Sequence, residues 1–183
     1  MFLQEAIKKR FTQLKIIVPP DAGLAVLKGA VIYGHSPMAI TERVSKYTYG
    51  IDVVCTFING EHPWSKRQIQ KDGVIRCTDI FSKLVEVGDK LVVGQAQNEE
   101  SYIPVFDDQK SMDVSIFATC DKNPKFTTDD GCKKIGSIEV PLAGSGTERS
   151  VEVRMIFGGT EITVECQETA TGKITRLPIN FLI

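Results

Sequence analysis

With 183 residues, 42% hydrophobic and 25% charged, the chain is long enough to bury a sizeable core in one domain. A formal net charge of -1 excludes a general pull toward nucleic acid or anionic lipid, and no apolar run reaches the roughly 18 residues of a membrane span. The start lacks the apolar core and small-residue cleavage site of a secretion signal, so the chain is expected in the cytosol. Cys55, Cys77, Cys120, Cys132 and Cys166 are odd in number and contain no C-x-x-C pair, which reads as reduced packing residues rather than a disulfide framework or zinc site.

The first element, "FLQEAIKKRFTQL", places Leu3, Ile7, Phe11 and Leu14 on one face of an amphipathic helix, with Glu5, Lys8, Lys9 and Arg10 on its solvated side. In "VPPDAGLAVLKGAVIYG", Pro19 and Pro20 stop what precedes, Asp21 is placed as an N-cap, and Gly34 with Pro37 gives an end signal. Leu24, Leu27 and Val31 form a stripe, and Ala25 with Gly29 leaves room for a close neighbour. "GHSPMAITERVSKY" is polar and aperiodic. The expected organisation is a helical unit over 1–34, a linker over 35–46 and a β domain over 47–183.

From there the period changes. "YGIDVVCTF", "KLVVGQA", "MDVSIFATC", "GSIEVPL", "SVEVRMIF", "TEITVECQE" and "KITRLPINF" are short segments rich in Val, Ile, Thr and Phe, separated by turn residues. Val151, Val153, Met155 and Phe157 alternate with more polar neighbours, as do Ile162, Val164 and Cys166. Strands with one wet face predict an antiparallel β-sandwich, so the fold class is mainly β with N-terminal helices. "FGGTE", "TATGK" and "AGSGTERS" read as hairpin connections.

Catalytic chemistry is hard to find. The two histidines, His35 and His62, have no Ser or Cys nucleophile context, and "TGKIT" lacks both the upstream glycine and the following Ser or Thr of a phosphate loop. The carboxylates of "NEES" and "FDDQ" read as solvated loop charges, not a metal site. No enzyme activity, metal or cofactor is expected.

Taken in order, "VPPDAGLAVLKGAVIYG", the linker, "YTYGIDVV" and "KKIGSIEVPL…ERSVEVRMIFGGTEITVECQETATGKITRLPINF" resemble the 70-kDa heat-shock chaperones across the junction of their two domains, most of all their divergent member 12 branch. The resemblance implies that residues 1–34 are a remnant of the ATP-binding domain, without its phosphate loops, and that ATP is not bound. It implies that the β domain is a substrate-binding sandwich holding an extended apolar peptide. Gly50 and Ile51 match the family's Gly-Ile, Val54 the apolar position three residues on, Tyr102 a family Phe, Val105 a position beside the arch, and Met112 and Val114 the next strand's inward face.

The candidate peptide site is therefore Ile51, Val54, Tyr102, Val105, Met112 and Val114. Periodicity alone makes all six core residues. Three features depart from the family. Asn59 to Ile80 is a longer excursion carrying Trp64, itself read as a local packing anchor; "MAITERVS" lacks the leucine run of the linker; and "PINFLI" stands where a helical lid would follow, so fast peptide release is expected. The expected function is a chaperone-like binder of unfolded clients without ATPase domain or lid. The alternatives are a regulatory protein binding one folded partner, or an idle truncated product. Self-association through the N-terminal helices is a further expectation.

Overall fold

The computed structural model describes residues 2–18, 20–36, 40–146, 148–159 and 161–180. Contacts divide the chain into two compact units, Met1–Ala39 and Ile40–Ile183.

In the first unit, α1 (Phe2–Arg10) stops four residues short of the expected Leu14, with Lys8, Lys9 and Arg10 in its last turn, where cations favour the helix dipole. The second expected helix is a single 3-10 turn, Ala22–Leu24, followed by α2 (Ala25–His35). Asp21 does not cap it through its side chain. Its carbonyl accepts the Leu24 N–H at 2.8 Å and its carboxylate pairs with Lys28, because the 3-10 turn moves the α-helical start out of its reach. Ser36 N–H closes the helix on the Ile32 carbonyl at 2.8 Å. Leu24, Leu27 and Val31 are exposed. Pro19 and Pro37, read as stops, lie outside the described residues, as do Met38, Ala39, Thr147, Thr160 and Phe181.

The second unit is built from antiparallel strands: β1 (Glu42–Val44), β2 (Thr48–Thr56), β3 (Arg67–Ile69), β4 (Ile75–Val85), β5 (Lys90–Val92), β6 (Ala96–Tyr102), β7 (Ser111–Thr119), β8 (Lys133–Pro141), β9 (Val151–Phe157), β10 (Glu161–Glu168) and β11 (Ile174–Asn180). They form a five-stranded sheet ordered β3-β4-β2-β7-β8, a four-stranded sheet ordered β11-β10-β9-β6, and the pair β1-β5. The two large sheets share one core. Ile51, Leu84, Val114, Ile116 and Val140 of one sheet and Val153, Met155, Phe157, Ile162 and Val164 of the other are all buried in it. The Tyr49 and Phe157 rings meet edge to face across it, 5.6 Å between centroids. Each fully buried aliphatic side chain here contributes about 1.5–3 kcal/mol.

Two glycines allow close approaches. A Cβ on Gly50 would lie 2.3 Å from Phe81 and from the Ser82 carbonyl, and one on Gly136 would lie 2.8 Å from Leu177 of β11.

The expected strands are present, with corrections. "KLVVGQA" breaks at Gly94, where φ is 78°, into β5 and the start of β6. "NEES" lies in β6 rather than in a loop, and β1 arises inside the segment read as linker. The Asn59–Ile80 excursion contains β3 and the beginning of β4. "AGSGTERS" joins β8 of one sheet to β9 of the other, so it is a crossover and not a hairpin.

Candidate functional site

The five-stranded sheet does not stay closed along its length. β2 pairs with β7 only from Thr48↔Thr119 to Ile51↔Ile116. Beyond Ile51, β2 continues along β4 as far as Thr56↔Arg76, and β7 continues along β8 as far as Ser111↔Pro141. The two central strands diverge, and a cleft of about 410 Å³ opens between them. Its lining comes from Ile51–Val54 of β2, Met112–Val114 of β7, and Ser101–Ile103, Val105 and Gln109 at and beyond the end of β6.

All six residues singled out from the sequence line this cleft: Ile51, Val54, Tyr102, Val105, Met112 and Val114. They divide by depth. Ile51 and Val114, each 2% exposed, belong to the sandwich core and form the floor. Val54, Tyr102, Val105 and Met112 are half-buried walls.

Two irregularities shape the walls. Val53 pairs with Ile80 and Cys55 with Cys77, so β4 spends an extra residue opposite Val54. Asp79 accommodates that bulge with φ at 59°, a conformation short polar side chains tolerate. Lys66 holds the Asp79 carboxylate at 2.8 Å. In β6 the extra residue is Asn98, φ 34°, between Gln97↔Met155 and Glu99↔Arg154. Its amide donates to the Leu84 carbonyl of β4 at 2.7 Å, and the Tyr102 and Ser82 hydroxyls meet at 2.9 Å. β6 thereby ties the four-stranded sheet to the five-stranded one along the cleft.

The loop over 103–110 is held from both sides. Gln109 accepts the Val105 N–H at 3.0 Å and donates to the Ser111 carbonyl at 2.7 Å. Arg149, 7% exposed, donates to the carbonyls of Gly146 (2.7 Å), Gln109 (2.9 Å), Asp107 (3.0 Å) and Gly144 (3.3 Å), so this buried cation is satisfied by backbone dipoles. From the other side the β3–β4 turn reaches the loop. Lys71 pairs with Asp108 at 2.7 Å and stands 4.4 Å from the Phe106 ring centre, while the Arg76 fork grips Asp72 and holds its carboxyl at about 2. This turn belongs to the excursion, and nothing in the hydrophobic pattern announces its contact with residues 106–108.

The lining is mainly apolar, with two carboxylates, Asp52 and Asp113, and the polar Ser101 and Gln109. Burial, then the nearby Asp79, pushes the Asp52 carboxyl above its ordinary value against the Thr127 hydroxyl. Burial likewise pushes the Tyr102 phenol up, opposed by its bond to Ser82. Such a site can hold an apolar chain and offer it backbone partners on both walls; no group of three or more metal-ligating side chains is found among the described residues.

A second cavity, about 430 Å³, lies where β1 and β5 meet β9, lined by Arg43, Tyr47, Tyr49, Leu91 and Phe157 among others, with the Arg43 guanidinium donating to the Gly159 carbonyl at 2.6 Å. Sequence reading did not anticipate it, because β1 lies in the stretch taken as linker. No helix among the described residues is long and apolar enough to cross a membrane. Trp64 is 68% exposed. It touches Phe57 at 5.8 Å between centroids and carries the Arg67 guanidinium on its face.

No protein-family model matches the chain. Heat shock 70 kDa protein 12A of Homo sapiens is 37% identical over an alignment of 186 positions that covers 98% of this chain, and that of Mus musculus is 36% identical over the same share. Heat shock 70 kDa protein 12B of Homo sapiens is 33% identical over 92% of this chain. The chain spans 27% of the length of the 12A proteins and 26% of 12B. The ordered resemblance, the mainly antiparallel β fold and these identities agree: the chain belongs to the 70-kDa heat-shock protein family, as a relative of part of its member 12 proteins.

Proposed function

We propose that the β unit is a chaperone-like module that binds extended apolar peptide segments, as unfolded proteins present them, and that it works by binding rather than by chemistry. The observation that carries this reading is the divergence of β2 and β7 beyond Ile51↔Ile116, which leaves an apolar cleft between two strands of one sheet. A peptide lying there meets main-chain partners for affinity and the Val54, Val105 and Met112 side chains for preference. Met112 suits varied occupants, since a thioether chain adapts its shape. A cytosolic location fits this role.

The test is fluorescence anisotropy with a labelled, extended Leu-rich peptide. Val105→Asp, on a half-buried wall, is expected to weaken binding at least tenfold while the melting temperature stays within a few degrees. Val114→Asp, on the floor, is expected to lose the fold, since it places an unpaired charge in the core. Peptide binding by Val105→Asp as tight as the parent's overturns the assignment.

A second reading, a regulatory protein with one folded partner, is favoured by a different surface. Exposed Trp64 stacked by Arg67, near exposed Ile58 and Ile69, has the residue types that dominate protein interfaces. If Trp64→Ala abolishes capture of a single partner while peptide binding is absent, this reading replaces the first. Exposed Leu24, Leu27 and Val31 support self-association as a further property, checked by sedimentation of the full chain against Leu27→Asp.

A further inference from the structure

Strands β2 and β4 bring two cysteines opposite one another. Cys55 and Cys77 are register partners, and two residues on, the Phe57 N–H donates to the Ile75 carbonyl at 3.1 Å, which makes alternate pairs here the hydrogen-bonded kind. Side chains of such partners lie on the same face, with Cα atoms about 5.5 Å apart, inside the span of about 4.4–6.8 Å that a disulfide bridges. Their Cβ atoms must close by roughly 1 Å. The ladder is well placed to yield: the Asp79 bulge lies two residues from Cys77, and β2 ends at Thr56.

We infer that Cys55 and Cys77 are an oxidisable pair that closes to a disulfide, with Cys55 meeting the oxidant and Cys77 resolving it. The division of labour follows from exposure. Cys55 is exposed, whereas Cys77 is 0% exposed and so shielded from an oxidant in solution. Burial pushes both thiols above their usual value, so both rest protonated at neutral pH.

His62 supplies the third component. Its Nδ1 accepts the Ile58 N–H at 3.0 Å, so the proton of the neutral ring sits on Nε2, which lies 3.9 Å from the Cys55 sulfur. Once Cys55 gives up its proton, that N–H faces the sulfur as a donor to the thiolate. The other cysteines lack this arrangement. Cys166 is buried in β10 opposite Val153 and Thr175, and Cys120 and Cys132 lie beyond the last recorded β7–β8 pair, Ala118↔Lys133.

With a glutathione-type disulfide as oxidant, the chemistry balances. The Cys55 thiolate attacks one sulfur of the oxidant, forming a mixed disulfide and expelling one glutathione thiolate. The Cys77 thiolate then attacks the Cys55 sulfur and expels the second. Two electrons pass to the oxidant, and both cysteine protons end on the two glutathione thiols. The product staples the end of β2 to β4 beside Val54.

The test uses the full reduced chain incubated with oxidised glutathione, then thiol counting under denaturing conditions and non-reducing tryptic mapping. Two of the five thiols should be lost, and peptides 47–66 and 77–83 should appear linked, reversibly by dithiothreitol. Cys55→Ser, at an exposed position, should keep every thiol it has. A Cys120→Ser, Cys132→Ser double variant should still form the link, and His62→Gln should slow it several-fold. Five surviving thiols, a persistent glutathione adduct on Cys55, a link joining other cysteines, or two thiols lost from Cys55→Ser each overturns the proposal. An unchanged rate in His62→Gln overturns the part given to that residue.

Discussion

Two regions of the sandwich are built by different rules. From β9 through β10 to β11 every pair is in register, from Ile162↔Phe157 to Glu168↔Val151 and from Glu161↔Asn180 to Gln167↔Ile174. Side chains along β9 alternate without interruption between buried and half-buried. On the outer face Glu99, Arg154, Glu165 and Arg176 line up across four neighbouring strands as alternating charges. Elsewhere, β4 shifts register twice against β2, β8 shifts once against β7, β6 shifts against β9 at the edge of the same sheet, and β2 and β7 part company. Regular ladders concentrate burial, and irregular ones aim side chains. The candidate site lies entirely among the second kind.

The largest expected effect strikes the regular region. Val153→Asp puts a charge at a position 0% exposed, where nothing pairs with it, and should abolish the cooperative melt; a variant that melts normally breaks the contrast. Next comes Arg149→Ala, which strips donors from the Asp107 and Gln109 carbonyls. It should cost about 3 kcal/mol or more by urea denaturation and expose the loop over 103–110 to proteolysis. Asn98→Val forces a β-branched residue to positive φ and removes the bond to Leu84. It should cost about 1–3 kcal/mol, whereas Asn98→Gly, which keeps the backbone at ease, should cost less.

A pH scan sharpens the same comparison. Arg176, then Arg154, holds the Glu165 carboxyl below its ordinary value of 4.5. A lowered folded value means that the stabilisation is complete above the ordinary value and is lost as pH falls through the folded one. The melting temperature of the parent should therefore fall more steeply below about pH 4.5 than that of Glu165→Gln. Parallel curves would show that the charge ladder contributes nothing. The smallest effect is expected from Lys71→Ala, which breaks an exposed pair with Asp108. Its stability should change by less than about 1 kcal/mol, and a larger loss would make the β3–β4 turn part of the fold's foundation.

What could be read from the sequence follows this division. β9, β10 and β11 show in the chain as alternation because no residue is inserted. β4, "IRCTDIFSKLV", hides because Asp79 and Leu84 each throw the alternation out of phase. β6 hides behind its charges and Asn98. The six cleft residues were legible through the ordered resemblance, not through periodicity, which makes them core and is right for Ile51 and Val114. The hold of Lys71 on Asp108, with Arg76 5.5 Å from the Phe106 ring centre, had no sequence signal, since a turn's charged residues read the same whether they face water or a neighbouring loop.

Arg149 grips the loop over 103–110 and the crossover before β9 by their carbonyl oxygens, and every residue type carries a carbonyl. One guanidinium located elsewhere in the chain thus holds that wall through contacts that no side chain of the loop supplies. Asp107 and Gln109 each lend Arg149 only their backbone oxygen, so substitutions at Val105, Phe106 or Asp108 leave that anchor in place. A lineage carrying this fold can redraw what the cleft prefers while that anchor stands, and losing Arg149 removes it.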